Sequence, residues 1–267
     1  MTNLIFLKLG GSLITDKTRR ETPRMDVLVR TAVQIETALD IDPNLRLLLG
    51  HGSGSYGHVT AAKYNTRQGV QTGEEWFGFT AVSDVATRLN RLVLDSLRTA
   101  GIPAMSFSPS ASAQVHDGHL RHLAIAPLQA ALAARLVPIV HGDVAFDEVR
   151  GGTILSTEEV LAYLAPQLQP RWLLLAGETD GVLDASGTRI PLITPENLAE
   201  VAPALGGSHG TDVTGGMASK VRQMLDLTAV LPSLNIRIFS GLTPGNLTKL
   251  LTNPHANVGT RISQTHL

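Results

Sequence analysis

Cysteine is absent from the 267-residue sequence, which excludes disulfides, thiolate metal sites and a cysteine nucleophile. Neither charge sign is in excess. The 22 Lys and Arg residues against 23 Asp and Glu leave a net charge of −1, so the chain lacks the basic field of a nucleic-acid binder. Aromatic residues are only 4% of the total, too few for a surface that stacks bases or sugars. Long apolar runs are missing as well. The first run, Leu4–Leu9, falls far short of the roughly 20 residues that span a bilayer. No basic segment precedes it, so no membrane partner and no signal peptide are expected, and the expected location is cytoplasmic. Three kinase or nucleotide signatures are also absent: the G-x-x-x-x-G-K-[ST] loop, H-R-D and D-F-G. Their absence argues against P-loop and protein-kinase folds.

What is present is 43% hydrophobic residues, enough for a sizeable core, arranged as short β-rich runs alternating with amphipathic stretches. Strands are expected at Leu4–Leu9, Leu45–Leu49, Pro103–Phe107, Val137–Val140, Trp172–Ala176 and Ile236–Phe239. Helices are expected at Met25–Leu39, Glu74–Thr99, Thr157–Leu164 and Met217–Val230. This alternation implies an α/β fold with a largely parallel central sheet sandwiched by helices. The prolines Pro166 and Pro170 bracket a break in periodicity and mark the expected seam between two lobes, 1–168 and 169–267, of one continuous domain.

Parallel sheets bind ligands beyond the carboxyl ends of their strands, and the glycines cluster there. Lys8, Gly10, Gly11 and Ser12 close the first strand; Gly52, Ser53, Gly54, Gly57 and His58 close the second. His141–Gly142–Asp143, Gly177–Gly181 and Ser240–Gly241 close later ones, and Gly215, Gly216 and Lys220 open a helix. Several such turns along one sheet edge suit a ligand with several phosphates. The stretch Gly52–Gly57 matches G-x-G-x-x-G, with Glu74 and Glu75 about twenty residues on. No β-like run precedes Glu74, however, so the dehydrogenase reading is set aside.

From one end to the other, the ordered motifs resemble isopentenyl phosphate kinases. These are Lys8–Ser12 with Ile14–Lys17, His51–His58, Pro138–Asp143, Gly152–Ser156, Thr179–Val182, Asp212–Met217 with Lys220, Gly241–Asn246 and Val258–Ile262. The resemblance implies the amino-acid-kinase fold, with an acceptor-binding N-terminal lobe and an ATP-binding C-terminal lobe. It implies ATP as phosphoryl donor, magnesium carried by the ATP phosphates, a prenyl phosphate acceptor feeding isoprenoid synthesis and, by analogy, a homodimer. Acceptor contacts are expected at Gly52, Ser53, His58, Gly152 and Thr153, and nucleotide contacts at Lys8, Gly10, Gly11, Ser12, Gly54, Thr179, Asp180, Gly181, Val182, Asp184, Gly215, Gly216 and Lys220. Catalysis is expected from Lys8, Lys17, His58, Glu158 and Lys220. Where the family often has Ser-Gly-Asp, this chain has Ser156–Thr157–Glu158, so Glu158 would need its longer arm to hold the lysines.

The residue chemistry agrees with an anionic acceptor. A phosphate monoester, with its second pKa near 6, is already largely dianionic at pH 7 and needs no general base. It does need relief from repulsion of about 4 kcal/mol between charges about 4 Å apart at an effective dielectric near 20. Lysines supply that relief, and His58 can bind the acceptor's phosphate. The apolar spacing of Trp76–Val82, including Phe77 and Val82, suits a pocket for a short tail or ordinary core packing. His116, His119 and His122 read as a surface turn, and no protein-bound metal is expected. The alternatives are a phosphonate kinase of the fosfomycin type, another small-molecule kinase of the fold, or a non-enzymatic nucleotide sensor. Three retained lysines disfavour the sensor.

Overall fold

The computed structural model describes residues 3–205 and 216–265. In chain order its elements are β1 (Leu4–Leu9), α1 (Gly11–Ile14), α2 (Met25–Ile41), β2 (Arg46–His51), α3 (Gly54–Tyr64), α4 (Gly73–Thr99) and β3 (Ala104–Ser106). There follow β4 (Gln114–His116), β5 (His119–His122), α5 (Ala126–Ala133), β6 (Val137–His141), β7 (Asp143–Asp147), β8 (Gly151–Leu155) and α6 (Thr157–Leu168). The remainder is β9 (Trp172–Gly177), β10 (Leu192–Ile193), α7 (Leu198–Leu205), α8 (Gly216–Val230), β11 (Asn235–Ser240), α9 (Asn246–Thr252) and β12 (Thr260–Ile262).

Eight strands form the main sheet in the order β10-β12-β11-β9-β1-β2-β6-β3. All its pairings are parallel except β11 with β12. The buried, leucine-rich strands follow from coverage on both faces. Period-two alternation sends Leu4 and Phe6 to the side packed by α5, α6 and α8, and Ile5, Leu7 and Leu9 to the side packed by α2, α4 and α9. A second sheet, β5-β4-β7-β8, stands beside the main one and is held to α4 by a small cluster of Val70, Phe79, Val82 and Val144. Among the described residues no helix is long and apolar enough to cross a membrane.

Two segments gain detail. Pro166 lies inside α6, which runs on to Leu168 and ends with Gln169 in the left-handed region. The break therefore falls after the helix. A proline inside a helix costs about 3 kcal/mol, and the burial of Val160, Leu161, Leu164 and Leu168 offsets it. The segment 116–122, expected as a surface turn, is the exposed β4–β5 hairpin, and His116 Nδ1 bonds Glu148 at 3.0 Å.

Candidate active site

Lys8 continues the alternation of Leu4 and Phe6, so it projects toward α6 and α8. It lies directly across from Gly50 of β2. A Cβ on Gly50 would meet Thr157 Cγ2 at 2.8 Å, so glycine there lets α6 start against the sheet. The start is also fixed by hydrogen bonds. Ser156 Oγ accepts from Glu159 N at 3.1 Å, Glu159 Oε2 accepts from Ser156 N at 2.6 Å, and Thr157 Oγ1 donates to the His51 carbonyl at 2.6 Å. This capping box places Glu158 so that its carboxylate accepts from Lys8 Nζ at 2.6 Å. The glutamate arm thus spans the distance to Lys8. Lys8 is only 7% exposed. Burial pushes the Glu158 carboxyl up, but the ammonium of Lys8 and, further off, the charge of Lys220 outweigh it, so the carboxyl is held below its ordinary range.

The loops after β1 and β2 interlock. A Cβ on Gly11 would meet Gly54 N at 2.5 Å, and Gly54 itself adopts φ +48°, a conformation open to glycine. Gly10 N donates to Ala176 O at 2.8 Å and Gly52 N to Leu9 O at 3.0 Å, so the ends of β9, β1 and β2 are laced side by side. From Gly54, α3 carries His58 into the same space.

That space is a cleft of about 1160 Å³. Its lining brings together Lys8, Lys17, His58, Glu158 and Lys220. Gly10, Gly11, Ser12, Gly52, Ser53 and Gly54 line it as well, as do Thr179 and Gly216. Other expected contacts stand elsewhere. Gly152 packs on Phe79, where a Cβ would come within 2.8 Å. Thr153 is buried and donates its hydroxyl to Arg67 O at 3.0 Å; its neighbours Ile154 and Leu155 face the cleft instead. Asp180 is exposed and stands outside the lining. Gly181 and Val182 are buried against Thr260, and Asp184 organises a turn through Ser186 and Thr188. Gly215 lies outside the described residues.

Three cleft residues were given no role by the sequence reading. Arg67 holds Glu159 with both guanidinium nitrogens, at 2.6 and 2.9 Å, and also donates to the Ile154 carbonyl. Nothing local in the sequence signals a pairing across 92 positions. Glu159 itself was legible, since Ser156-x-x-Glu159 before an apolar run is a capping-box pattern. Asp143, in the His141–Gly142–Asp143 turn, is buried; burial pushes its carboxyl up against the bonds it accepts from Ser110, Val144 and Ser83. Two other post-strand histidines are structural. His51 and His141 meet edge to face at 5.4 Å. Burial lowers His51 to about 3 and His141 to about 4, so both rings are neutral at physiological pH.

The amino acid kinase family model matches residues 3–240. Isopentenyl phosphate kinase of Methanothermobacter thermautotrophicus is 33% identical over 273 residues, covering 98% of this chain and 100% of that one. The chain belongs to the isopentenyl phosphate kinases of the amino acid kinase family. The isopentenyl phosphate kinase of Haloferax volcanii is 40% identical over 228 residues, 85% of this chain and 89% of that one. An X-ray structure of isopentenyl phosphate kinase superposes with a TM-score of 0.82 at 30% identity, covering 98% of this chain and 100% of that chain. As an isopentenyl phosphate kinase family member, the chain has a largely parallel central sheet and places the Glu158 carboxylate against Lys8.

Proposed function

We propose that this chain transfers the γ-phosphoryl group of ATP to isopentenyl phosphate, giving isopentenyl diphosphate and ADP. The observation that supports it most directly is the convergence of Lys8, Lys17, Lys220 and His58 on one cleft, backed by an apolar wall of Ala61, Val82, Ala86 and Ile154. An oxygen of the acceptor's phosphate attacks the γ-phosphorus as the bond to ADP breaks, and no proton has to be removed first. Binding and charge neutralisation are what remain for the protein. Lys8, held by Glu158, faces the transferring group, and Lys17 adds charge from the exposed side. Lys220 sits near the start of α8, where the helix dipole favours nucleotide phosphates. His58 binds the acceptor's phosphate.

Of the cleft's carboxylates, Glu158, Glu159 and Glu178 are engaged by Lys8, Arg67 and Arg24, and Asp143 accepts backbone N–H bonds from Ser110 and Val144, which leaves the exposed Asp226. Magnesium would fit as an ion held mainly by the nucleotide's phosphate oxygens, and it would supply neutralisation of phosphate charge there. A homodimer and a cytoplasmic setting belong to the same reading by likeness to the fold. The test is MgATP turnover with isopentenyl phosphate, dimethylallyl phosphate, fosfomycin, carbamate, acetylglutamate and free isopentenol. Isopentenyl phosphate is expected to be the best acceptor and isopentenol to be nearly inert; preference for the alcohol or for a carboxylate would overturn the reading.

The apolar wall gives a second expectation. Phe77 is 66% exposed and meets only the edge of Tyr64 among the rings, at 6.3 Å, whereas Val82 is buried and faces the cleft. Val82→Ala is expected to widen tolerance for longer prenyl phosphates in graded steps, since each methylene is worth about 1–3 kcal/mol. Phe77→Ala should leave the chain-length profile unchanged. Competition assays with prenyl phosphates of increasing length read this out. An unchanged profile in folded Val82→Ala protein would assign Val82 to core packing.

A further inference from the structure

Residues 15–24 form a strap that carries Lys17. Its two sides are bonded to each other, with Asp16 N donating to Thr22 O at 2.9 Å and Arg24 N to Ile14 O at 2.8 Å. Asp16 Oδ1 accepts from Thr18 N and Oγ1 at 2.9 and 2.7 Å, so the turn next to Lys17 is ordered from within. What fixes the strap to the rest of the molecule is Ser55, 3% exposed in the first turn of α3. Ser55 engages the strap with three separate atoms. Its N–H donates to Thr15 Oγ1 at 2.9 Å, its Oγ accepts from Thr22 N at 3.2 Å, and its carbonyl accepts from Glu21 N at 3.2 Å. Thr15 Oγ1 in turn donates to Gly11 O at 2.7 Å.

Two outer contacts extend the attachment. Glu21, at φ +50°, accepts from Arg88 of α4 at 2.5 Å. A non-glycine residue in that region persists only where its surroundings hold it. Arg24 bonds Glu178, beyond β9, at 2.8 Å. The strap is thus tied to α3 and α4 on one side and to the loop after β9 on the other. His58 lies three residues past Ser55 on the same short helix.

We propose that Ser55 is a positioning residue that sets Lys17 in register with His58, with the Glu21–Arg88 pair as its outer latch. Lys17 is exposed, and a lysine on a long flexible arm is placed only as well as its backbone is. Three bonds at one buried serine, two to the strap's backbone at Glu21 and Thr22 and one to the Thr15 hydroxyl, join the lysine's strap to the helix of the acceptor-binding histidine. A misplacement of about 1 Å in such an array is enough to lower turnover by about a hundredfold. This inference rests on the proposed role of Lys17.

A double-mutant cycle tests it. Turnover with MgATP and isopentenyl phosphate is measured for Ser55→Ala and Arg88→Gln, each alone and combined with Lys17→Ala. Alone, Ser55→Ala, which removes the Oγ bond to Thr22 N but keeps the two bonds made by the residue's backbone, is expected to lower kcat by about fivefold and Arg88→Gln by about threefold, within the range of coupling between contacting groups. In the Lys17→Ala background both losses should shrink below about twofold, because no lysine is left to misplace. Equal losses in both backgrounds would overturn the proposal, since a general structural role does not depend on Lys17. Arg88 is on the surface of α4, so it decides the matter if Ser55→Ala fails to fold. Wild-type turnover in Lys17→Ala alone would instead overturn the role given to Lys17, a separate failure recognised from the single variant.

Discussion

Replacing Lys8 by methionine is expected to lower kcat and kcat/KM together by about 10²–10³-fold, the loss seen when one preorganised donor to transition-state charge is removed. Lys8 is the most confined cation of the cleft, fixed by strand pairing on both sides and by Glu158 at 2.6 Å. Little reorganisation is then needed as charge builds on the transferring group. Steady-state kinetics with saturating ATP provides the check, and a loss below about threefold would place the transferred group elsewhere.

The same substitution has an effect on stability, whose sign follows from Glu158. In the native protein its carboxyl lies below the ordinary value of 4.5. The pair's contribution is therefore complete above that pH and fades as pH falls through the lower, folded value. Without Lys8, burial pushes the carboxyl up with only Lys220 and a backbone N–H bond opposing. The variant is then destabilised at neutral pH and regains stability relative to the parent on acidification. Removing one partner of a buried pair costs about 3–5 kcal/mol; the 18% exposure of the Glu158 side chain puts the expectation at or below the lower end. Adding Glu158→Gln should restore stability without restoring turnover. Thermal unfolding from about pH 4 to 8, spanning ordinary carboxylate values upward, separates the two effects.

His58→Ala is expected to raise the KM for isopentenyl phosphate and lower kcat, for a combined loss of about 10- to 150-fold in kcat/KM. That range corresponds to roughly 1.5–3 kcal/mol for a charge-assisted hydrogen bond to phosphate. The KM for ATP should stay near its original value, because His58 enters the cleft from α3, on the β2 side of the sheet. His58→Gln should recover part of the loss if an N–H donor is what the phosphate uses. His51 provides the internal contrast. Its ring bonds Asn90 Oδ1 at 3.1 Å and is buried away from the cleft, so His51→Ala should lower the melting temperature before it alters the acceptor KM. Wild-type acceptor kinetics in folded His58→Ala would remove the phosphate-binding role and the main ground for preferring a phosphate acceptor to a carboxylate.

The central sheet was legible because its strands are buried on both faces and read as unbroken apolar runs between glycine turns. The second sheet was not. Gln114–His116 and His119–His122 are short and mostly exposed, so their sequences carry neither a long run nor a strong alternation. Helix α3 was hidden by the same glycines that mark the site. Gly54 and Gly57 suggest a loop, yet the turn closes into a helix because Gly54 takes a positive φ against Gly11. The site followed a similar division. Lys8, Lys17, His58 and Lys220 could be found because they stand beside glycine turns at strand or helix ends. Arg67, Asp143 and Ser55 act through partners 33 to 92 positions away, and only folding brings those partners into view. Phe77 fits the apolar spacing of its helix, but the helix turns that residue outward toward Tyr64.

Strand β1 precedes its sheet neighbours in the chain, yet it lies in the middle of the sheet, with β2 on one edge and β9 on the other. Its pairing with β9 runs from Ile5–Trp172 to Leu9–Ala176. At about 5–20 residues per second on the ribosome, the sequence for β9 follows that of β1 by roughly 8–30 s. For that interval β1 has an unpaired, leucine-rich edge, the kind of edge that templates association with other chains. Lys8 is the single charge on it. The residue proposed to face the transferring group is thus also the one charged gatekeeper on this nascent strand, and a neutral residue at this position would burden the emerging chain as well as the completed one.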